Sequence, residues 1–575
     1  MRNWLRHLLN PVWPDETPIG TLGSPLEAKG ERNALAVVER IADQPEIVAL
    51  GAALNRYLAD LRGMLALKKA LHLVIESRAR ALALHIDPPE AHGLGSPPRI
   101  TLIHPFDGLA AEALGISERG AGGGGAAIAA VVQAVALLVA VSRIWLLTPS
   151  RKAPPISWQV GAPAFGTARD WAPLRRALAD AGWDEACAFA VVADDGYDLN
   201  PGAGTAFLRP NDCGIERSRW LCEAVLPAIR LTVAVLAQLM RKPFDPVVAI
   251  TSWFALHLVR KHLAFQRLLH AARFTWYLDV AEYSAGHIIK AALLGRTGGR
   301  LVRWPHCCLD NPGATLSFLG YDQFLGTGGY EAQYYGGTWW SNCTRRSIGF
   351  FRNDRRWVRS DGQVDPAIAA AVTAQRAGGR RILAYFGPSA FPGIEPIVES
   401  ALGVVLRVAV DHPDCCVVVK AKGAGAMSPI SAALSVLPEA RQLERDGRII
   451  FVPYVERGAE PCPSGWLVRE MAAAVGLGSV QLEALTQGKP CFSYYPVIQE
   501  TPYQQLLAGC GLGHTDPRQM AEALASWLEK PAALEIPYDR FRAWFDPFAD
   551  DAALTRVVDL LWDRGQTPAL HSAMA

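Results

Sequence analysis

A chain of 575 residues is too long for one hydrophobic core, because cores stop growing at roughly 250–300 residues and longer chains divide. Apolar residues make up 50% of it and charged ones 19%, enough burial to offset the entropy of ordering, which excludes wholesale disorder. Lysine plus arginine number 57 against 55 acidic residues, a net charge of +2, so the basic excess of a dedicated nucleic-acid binder is missing and no nucleic-acid partner is expected.

The eleven cysteines include adjacent pairs at Cys307 and Cys308 and at Cys415 and Cys416, but no C-x-x-C spacing. They read as free thiols of a reducing cytoplasm rather than a zinc or redox site. Met1–Trp13 holds Arg2, Arg6 and His7 and has no long apolar run, which predicts no export signal and a cytoplasmic protein. Within it, Arg2–Leu9 mixes Trp4, Leu5, Leu8 and Leu9 with two arginines. Such a stretch either lies on an anionic membrane surface, at the inner face of the cell membrane, or packs on its own protein.

From Asn33 to His85 apolar positions recur at helical spacing (Leu35, Val38, Ile41, then Leu58, Leu61, Leu65), and residues 1–97 are read as a helical N-terminal region. Pro97 and Pro98 precede Arg99–His104 (RITLIH), a run suited to a buried strand, and a loop with glycines at 122–125 follows. Ala121–Val141 carries no charge; it reads as the buried helix of a βα unit, with a bilayer-spanning helix as the alternative. Ala188–Ala193, Pro246–Thr251, Phe274–Val280 and Arg300–Trp304 look like strands, with helical segments Ser252–Arg273 and Ser284–Leu294 between them. That alternation predicts a parallel sheet covered on both faces, an N-terminal α/β domain over 98–345.

The polar stretch Arg345–Asp361, a helix over Pro366–Arg376 and a Gly378-Gly379 break make a linker over 346–379. A second alternating series follows: Arg381–Phe386, Cys416–Lys420, Arg448–Val452, Ala474–Leu477 and Pro490–Tyr494. Residues 380–575 are thus expected to be a C-terminal α/β domain that binds a nucleotide-type ligand, and the fold class is α/β with two βαβ, Rossmann-like domains.

Ligands of open parallel sheets bind beyond the carboxyl ends of the strands. There the second series places Gly387 and Ser389, a turn that lets backbone N–H groups approach an anion or a carbonyl closely; the alternative is an ordinary strand-to-helix turn. Lys420 and Lys422 close the VVVKAKG strand, where an ammonium could neutralise a pyrophosphate; the alternative is a solvated strand-end lysine. Gly478 and Ser479 stand where a strand gives way to a helix whose N-terminal N–H groups and dipole suit phosphate oxygens. Glu483, one turn in, could accept from ribose hydroxyls or serve as an ordinary capping carboxylate.

The order GS-x-x-x-EAL-x-x-GKP over Gly478–Pro490, preceded by a lysine-ended strand and by the RIIFVPY strand that ends in Tyr454, resembles the donor half of GT-B glycosyltransferases, particularly bacterial capsule and surface-polysaccharide biosynthesis proteins. Lys242–Pro246, Glu282-Tyr283-Ser284, Pro305-His306, Tyr321-Asp322 with Gly326, and Ser347–Gly349 before Asp354 are similar to the acceptor half, although His306 is followed by Cys307 where those proteins commonly have glycine. The resemblance implies a GT-B-like arrangement and donor binding by Gly387, Ser389, Lys420, Lys422, Tyr454, Gly478, Ser479 and Glu483. It implies no metal and no cofactor, the nucleotide-sugar being a substrate, and an acceptor that is a polysaccharide or a lipid-linked glycan. An inverting displacement needs a base for the acceptor hydroxyl, for which His306, Asp310, Asp194 and Asp195 are candidates; Arg303, Arg345 and Arg346 could steer phosphates. The expected activity is sugar transfer in surface polysaccharide assembly. The alternatives are a nucleotide-sugar epimerase of related fold and a non-catalytic scaffold of an assembly complex.

Overall fold

The computed structural model describes residues 25–86, 107–114, 124–150, 154–163, 171–183, 189–192, 206–243, 245–280, 284–305, 316–351, 354, 364–388, 395–421, 424–454, 461–495, 501–550 and 552–562. Arg2–Leu9 and the Arg99–His104 run lie outside these residues.

The strands β1 (Ile156–Pro163), β2 (Phe189–Val192), β3 (Ala206–Leu208), β4 (Ala272–Asp279), β5 (Arg300–Arg303), β6 (Gln323–Gly326) and β7 (Thr344–Ser347) form one sheet in the order β3-β2-β1-β4-β5-β6-β7. A second sheet holds β8 (Arg381–Phe386), β9 (Cys415–Lys420), β10 (Ile449–Val452), β11 (Ala473–Gly476), β12 (Cys491–Tyr494) and β13 (Gly513–His514) in the order β10-β9-β8-β11-β12-β13. Every pairing is parallel. Counted from its own first strand, each sheet follows the doubly wound order 3-2-1-4-5-6, and β7 extends the first sheet by one strand. Such strands are covered on both faces and must be apolar nearly throughout; β2 (FAVV) and β9 (CCVVVK) are buried at every position.

The five strands expected in the second series are all present, each within one residue of its expected bounds. The first series needs correction. Pro246–Thr251 is not a strand but the first turns of a helix, Pro246–Lys261, in which Val248–Val259 are all buried. An apolar run with no exposed face has no helical period to read, but Asp-Pro was a start signal. Asp245 Oδ1 accepts from Val247 N (2.9 Å) and Val248 N (3.2 Å), and proline takes the first helical position. The central strand β1 (ISWQVGAP) escaped notice because glutamine, glycine and proline interrupt it, and the polar stretch from Arg345 begins inside edge strand β7, whose side chains are largely exposed.

Helices Pro25–Ala42, Pro45–Leu58 and Gly63–Ile86 pack with Gly124–Leu147, Arg217–Arg241 and Pro246–Lys261 into a helical layer that shares its core with the first sheet. Gly124–Leu147, which holds most of the uncharged segment Ala121–Val141, packs chiefly on Pro246–Lys261. It is therefore an outer helix of this layer, not the sheet-covering crossover of a βα unit.

The last helix among the described residues, Ala553–Trp562, leaves the second sheet and packs on the first. Trp276 Nε1 donates to Leu561 O (3.0 Å), Leu554 N donates to Asp354 Oδ2 (2.9 Å), and Trp562 lies 5.0 Å from Trp183. The carboxyl edges of the sheets meet where Tyr330, just beyond β6, accepts from Tyr503 N (3.2 Å), beyond β12. Tyr330 also packs on Trp544 and Phe545, at 5.1 and 5.0 Å between ring centroids.

Burial holds several histidines of the helical layer neutral. His72 is pushed down to about 3, His262 to about 3 and His270 to about 4, in each case chiefly by loss of water around the charged form. Unfolding restores the ordinary value of 6.5, so below it the unfolded chain binds more protons than the folded one. Stability is therefore full above about pH 6.5 and falls as the pH drops toward these folded values. Circular-dichroism melts should give a constant midpoint from pH 8 to 7 and a lower one at pH 5, above the carboxylate range; a flat midpoint down to pH 5 would contradict the buried neutral histidines.

Candidate nucleotide site

A doubly wound sheet opens a crevice where its strand order reverses, which in the second sheet lies between β8 and β11, paired through Phe386 and Gly476. Beyond β11 the chain turns at Gly478, with φ 77° and ψ −150°. Only glycine enters that region without strain, and a Cβ there would meet nothing within 4 Å, so the requirement is conformational rather than steric. The turn starts the helix Ser479–Thr486 directly from the sheet edge, with no side chain capping it. Its N-terminal donors and positive dipole end stand at the reversal point.

Lys420 ends β9, the strand beside β8, and is buried, with Nζ 3.1 Å from Ser464 Oγ. Ser464 opens the helix Ser464–Glu470. Glu483 is also buried, and its Oε1 lies 2.8 Å from where a Cβ on Gly465 would stand, so the glycine leaves room for the carboxylate. Strand ends and helix starts thus bring a cation, a hydroxyl and a carboxylate around one short backbone segment.

A buried network fixes the first turn of Ser479–Thr486. The amide of Gln481 accepts from Tyr495 OH (2.9 Å) and Tyr503 OH (2.8 Å) and donates to Ser493 Oγ, which donates to Gly476 O. Tyr503 is the residue whose N–H meets Tyr330, so the same network ties the helix to the first sheet. Ser464, Gln481, Tyr495 and Tyr503 were missed by sequence reasoning. The one local signal was an uncharged amide among the buried apolar positions of SVQLEAL.

Of the expected donor residues, Lys420, Gly478, Ser479 and Glu483 come together here. Gly387 is at the same crevice, but its N–H donates to Lys420 O (2.8 Å) and its Cβ would stand 2.6 Å from Ile430 Cδ1. The partner of that N–H is thus a carbonyl. Tyr454 lies just beyond β10 on the same carboxyl edge, with its ring exposed. Ser389, Lys422, His306, Asp310, Asp194 and Asp195 lie outside the described residues.

The three arginines make their contacts away from this crevice. Arg303 is completely buried, donates to Glu331 Oε2 and Leu325 O (both 3.0 Å), and stacks on Phe324. Arg345 donates to Gly336 O (2.8 Å) and lies over Trp339. Arg346 lines a pocket of about 360 Å³ with Trp276, Arg300 and Leu560, at the amino ends of β5–β7 and so at the opposite end of the sheet.

No family model matches the chain, and no curated protein matches it. Solved structures of similar backbone include S. aureus MnaA with UDP (12% identity, covering 70% of this chain and 94% of that one, TM-score 0.42). Others are UDP-GlcNAc 2-epimerase from Methanocaldococcus jannaschii (11%, 70% and 99%, 0.39) and the wall teichoic acid polymerase TagF (10%, 76% and 96%, 0.41). The class follows from the chain's own topology: two Rossmann-like sheets, carboxyl edges meeting at Tyr330 and Tyr503, and the helix Ala553–Trp562 that recrosses to the first sheet, a GT-B-like arrangement.

Replacing Gly478 with alanine forces a side chain into a glycine-only conformation and should cost about 1–3 kcal/mol. Urea unfolding followed by circular dichroism would measure it; Gly509→Ala is the control, because a Cβ there also meets nothing within 4 Å and no left-handed φ is required.

Proposed function

We propose that the chain is a glycosyltransferase that holds a nucleotide-sugar at the reversal point of its second sheet and moves the sugar to a surface polysaccharide or lipid-linked glycan. The observation that carries this reading is the meeting of Gly478, the uncapped start of Ser479–Thr486, Lys420 and Glu483 at that point. The helix start supplies N–H donors to the diphosphate, whose charge grows as the sugar leaves, and Lys420 adds a positive charge beside it. Glu483 accepts from the ribose hydroxyls, and the exposed ring of Tyr454 offers the nucleobase a stacking face. The acceptor enters between the facing carboxyl edges, where one of His306, Asp310, Asp194 and Asp195 takes its proton without a metal ion.

The test is a thermal-shift panel with UDP, CDP, GDP, CMP and their sugars on the wild type and on Lys420→Ala and Glu483→Ala. A ligand that binds only the folded state at a hundred times its Kd adds about 2.7 kcal/mol of apparent stability, so one nucleotide class should raise the wild-type midpoint and leave both variants unmoved. Conversion of a free nucleotide-sugar with no acceptor present would replace transfer by epimerisation. No shift with any nucleotide would replace both by a non-catalytic scaffold.

A further inference from the structure

Two helices of the helical layer turn large apolar side chains to solvent. Gly124–Leu147 exposes Ile128, Val131, Val135, Val139 and Leu146, the first four spaced i, i+3, i+7, i+11 and so on one face. Arg217–Arg241 does the same with Leu226, Ile229, Val233 and Met240, the last 82% exposed. The helices touch, and Trp220 Nε1 donates to Val141 O at 3.1 Å. Only 33% and 39% of their most apolar windows are buried, whereas an ordinary core helix is buried over most of its length.

The other faces of these helices cannot leave the protein. Gln133 Nε2 and His257 Nδ1 meet at 2.9 Å, and Gln238 and Thr232 are buried against neighbouring helices. Pro246–Lys261 and Pro45–Leu58, on which the two helices pack, share one core with the first sheet. A helix held so on one side and apolar on the other lies in an interface rather than across it.

Charge identifies what covers the face. Neither Gly124–Leu147 nor Leu226–Arg241 contains an aspartate or glutamate, and their charged residues, Arg143, Arg230 and Arg241, are all exposed. Glu223, in the turn before, is engaged by Arg219 (2.9 Å) and Arg296 (3.2 Å). A second copy would set the same arginines against one another, since a twofold contact buries the same patch twice, whereas anionic headgroups complement them.

We propose that this face docks, without spanning, on a bilayer containing anionic phospholipid. The inference concerns where the chain sits, and neither it nor its test depends on the glycosyltransferase reading.

The full-length chain should pellet with phosphatidylcholine vesicles containing phosphatidylglycerol and much less with phosphatidylcholine alone. Arg143→Glu, Arg230→Glu and Arg241→Glu should each weaken partitioning by at least about fivefold, the contribution of one basic residue near such a surface. Val135→Glu/Val139→Glu/Val233→Glu should weaken it by at least about tenfold with the melting midpoint retained, because all three side chains are already exposed. No pelleting with either vesicle, pelleting that the variants leave unchanged, and a concentration-dependent dimer that the triple variant breaks would each overturn the proposal. Resistance of the membrane-bound chain to alkaline extraction would overturn the interfacial placement in favour of a span.

Discussion

The architecture depends on where each sheet reverses its strand order. In the second sheet the chain winds outward from β8 to β10 and returns to β11 on the other side of β8. Because parallel crossovers are right-handed, the helices that follow β8 and β11 cover opposite faces, and a crevice opens between their starts. Gly478 and Glu483 lie on one turn and its helix, and the reversal brings Lys420, from the end of β9, to the same crevice across β8. The first sheet reverses in the same way at β1 and β4, yet its chemistry there differs. Asp279, at the end of β4, is completely enclosed, with one carboxylate oxygen on Val280 N (2.9 Å) and the other on Lys290 Nζ (3.0 Å). One crevice thus presents donors and a cation, and at the other the acid that ends β4 is neutralised within the scaffold.

The two sheets are joined by more than the linker. Tyr330 sits among Tyr503, Trp544 and Phe545, Phe350 N donates to Asp546 Oδ1 (3.2 Å), and beyond this aromatic cluster the chain runs into the helix on the first sheet. The second sheet is therefore bounded by chain crossings on both sides, and Gln481, which orients the helix start, is linked through Tyr503 to Tyr330. A shift between the sheets would be felt at the crevice between β8 and β11 through this chain of hydrogen bonds.

How much was legible follows from what each element had to bury. Five strands of the second sheet are short apolar runs bounded by glycine and polar turns, so composition marked them, whereas the two-residue edge strand β13 (GH) carries no such pattern; Gly478 with Glu483 could be placed because a strand end and a helix start were both visible in sequence. β1 was hidden by its own glutamine, glycine and proline, although it is the strand about which the first sheet reverses. Pro246–Lys261 was misread because it is buried all round and shows no amphipathic period. Ser464 and Tyr503 could not be found at all, since their importance lies in contacts across 44 residues to Lys420 and 173 residues to Tyr330, which no local pattern encodes.

The helical layer shows the limit of periodicity most clearly. Its interior holds His72, His257, His262, His270, Gln133 and Gln266 among the apolar side chains, while its outer helices expose valine, leucine, isoleucine and methionine. A reading that equates apolar with inside offers only a core helix or a bilayer span for the uncharged segment from Ala121. The observed helix satisfies neither condition, because its polar Gln133 faces inward to a histidine while Val135 and Val139 face outward. Burying glutamine and neutral histidine requires hydrogen-bonded partners in fixed positions, and those partners hold the helix to the protein body. The Gln133–His257 contact ties Gly124–Leu147 to Pro246–Lys261 on one side, and Val135 and Val139 are left on the other.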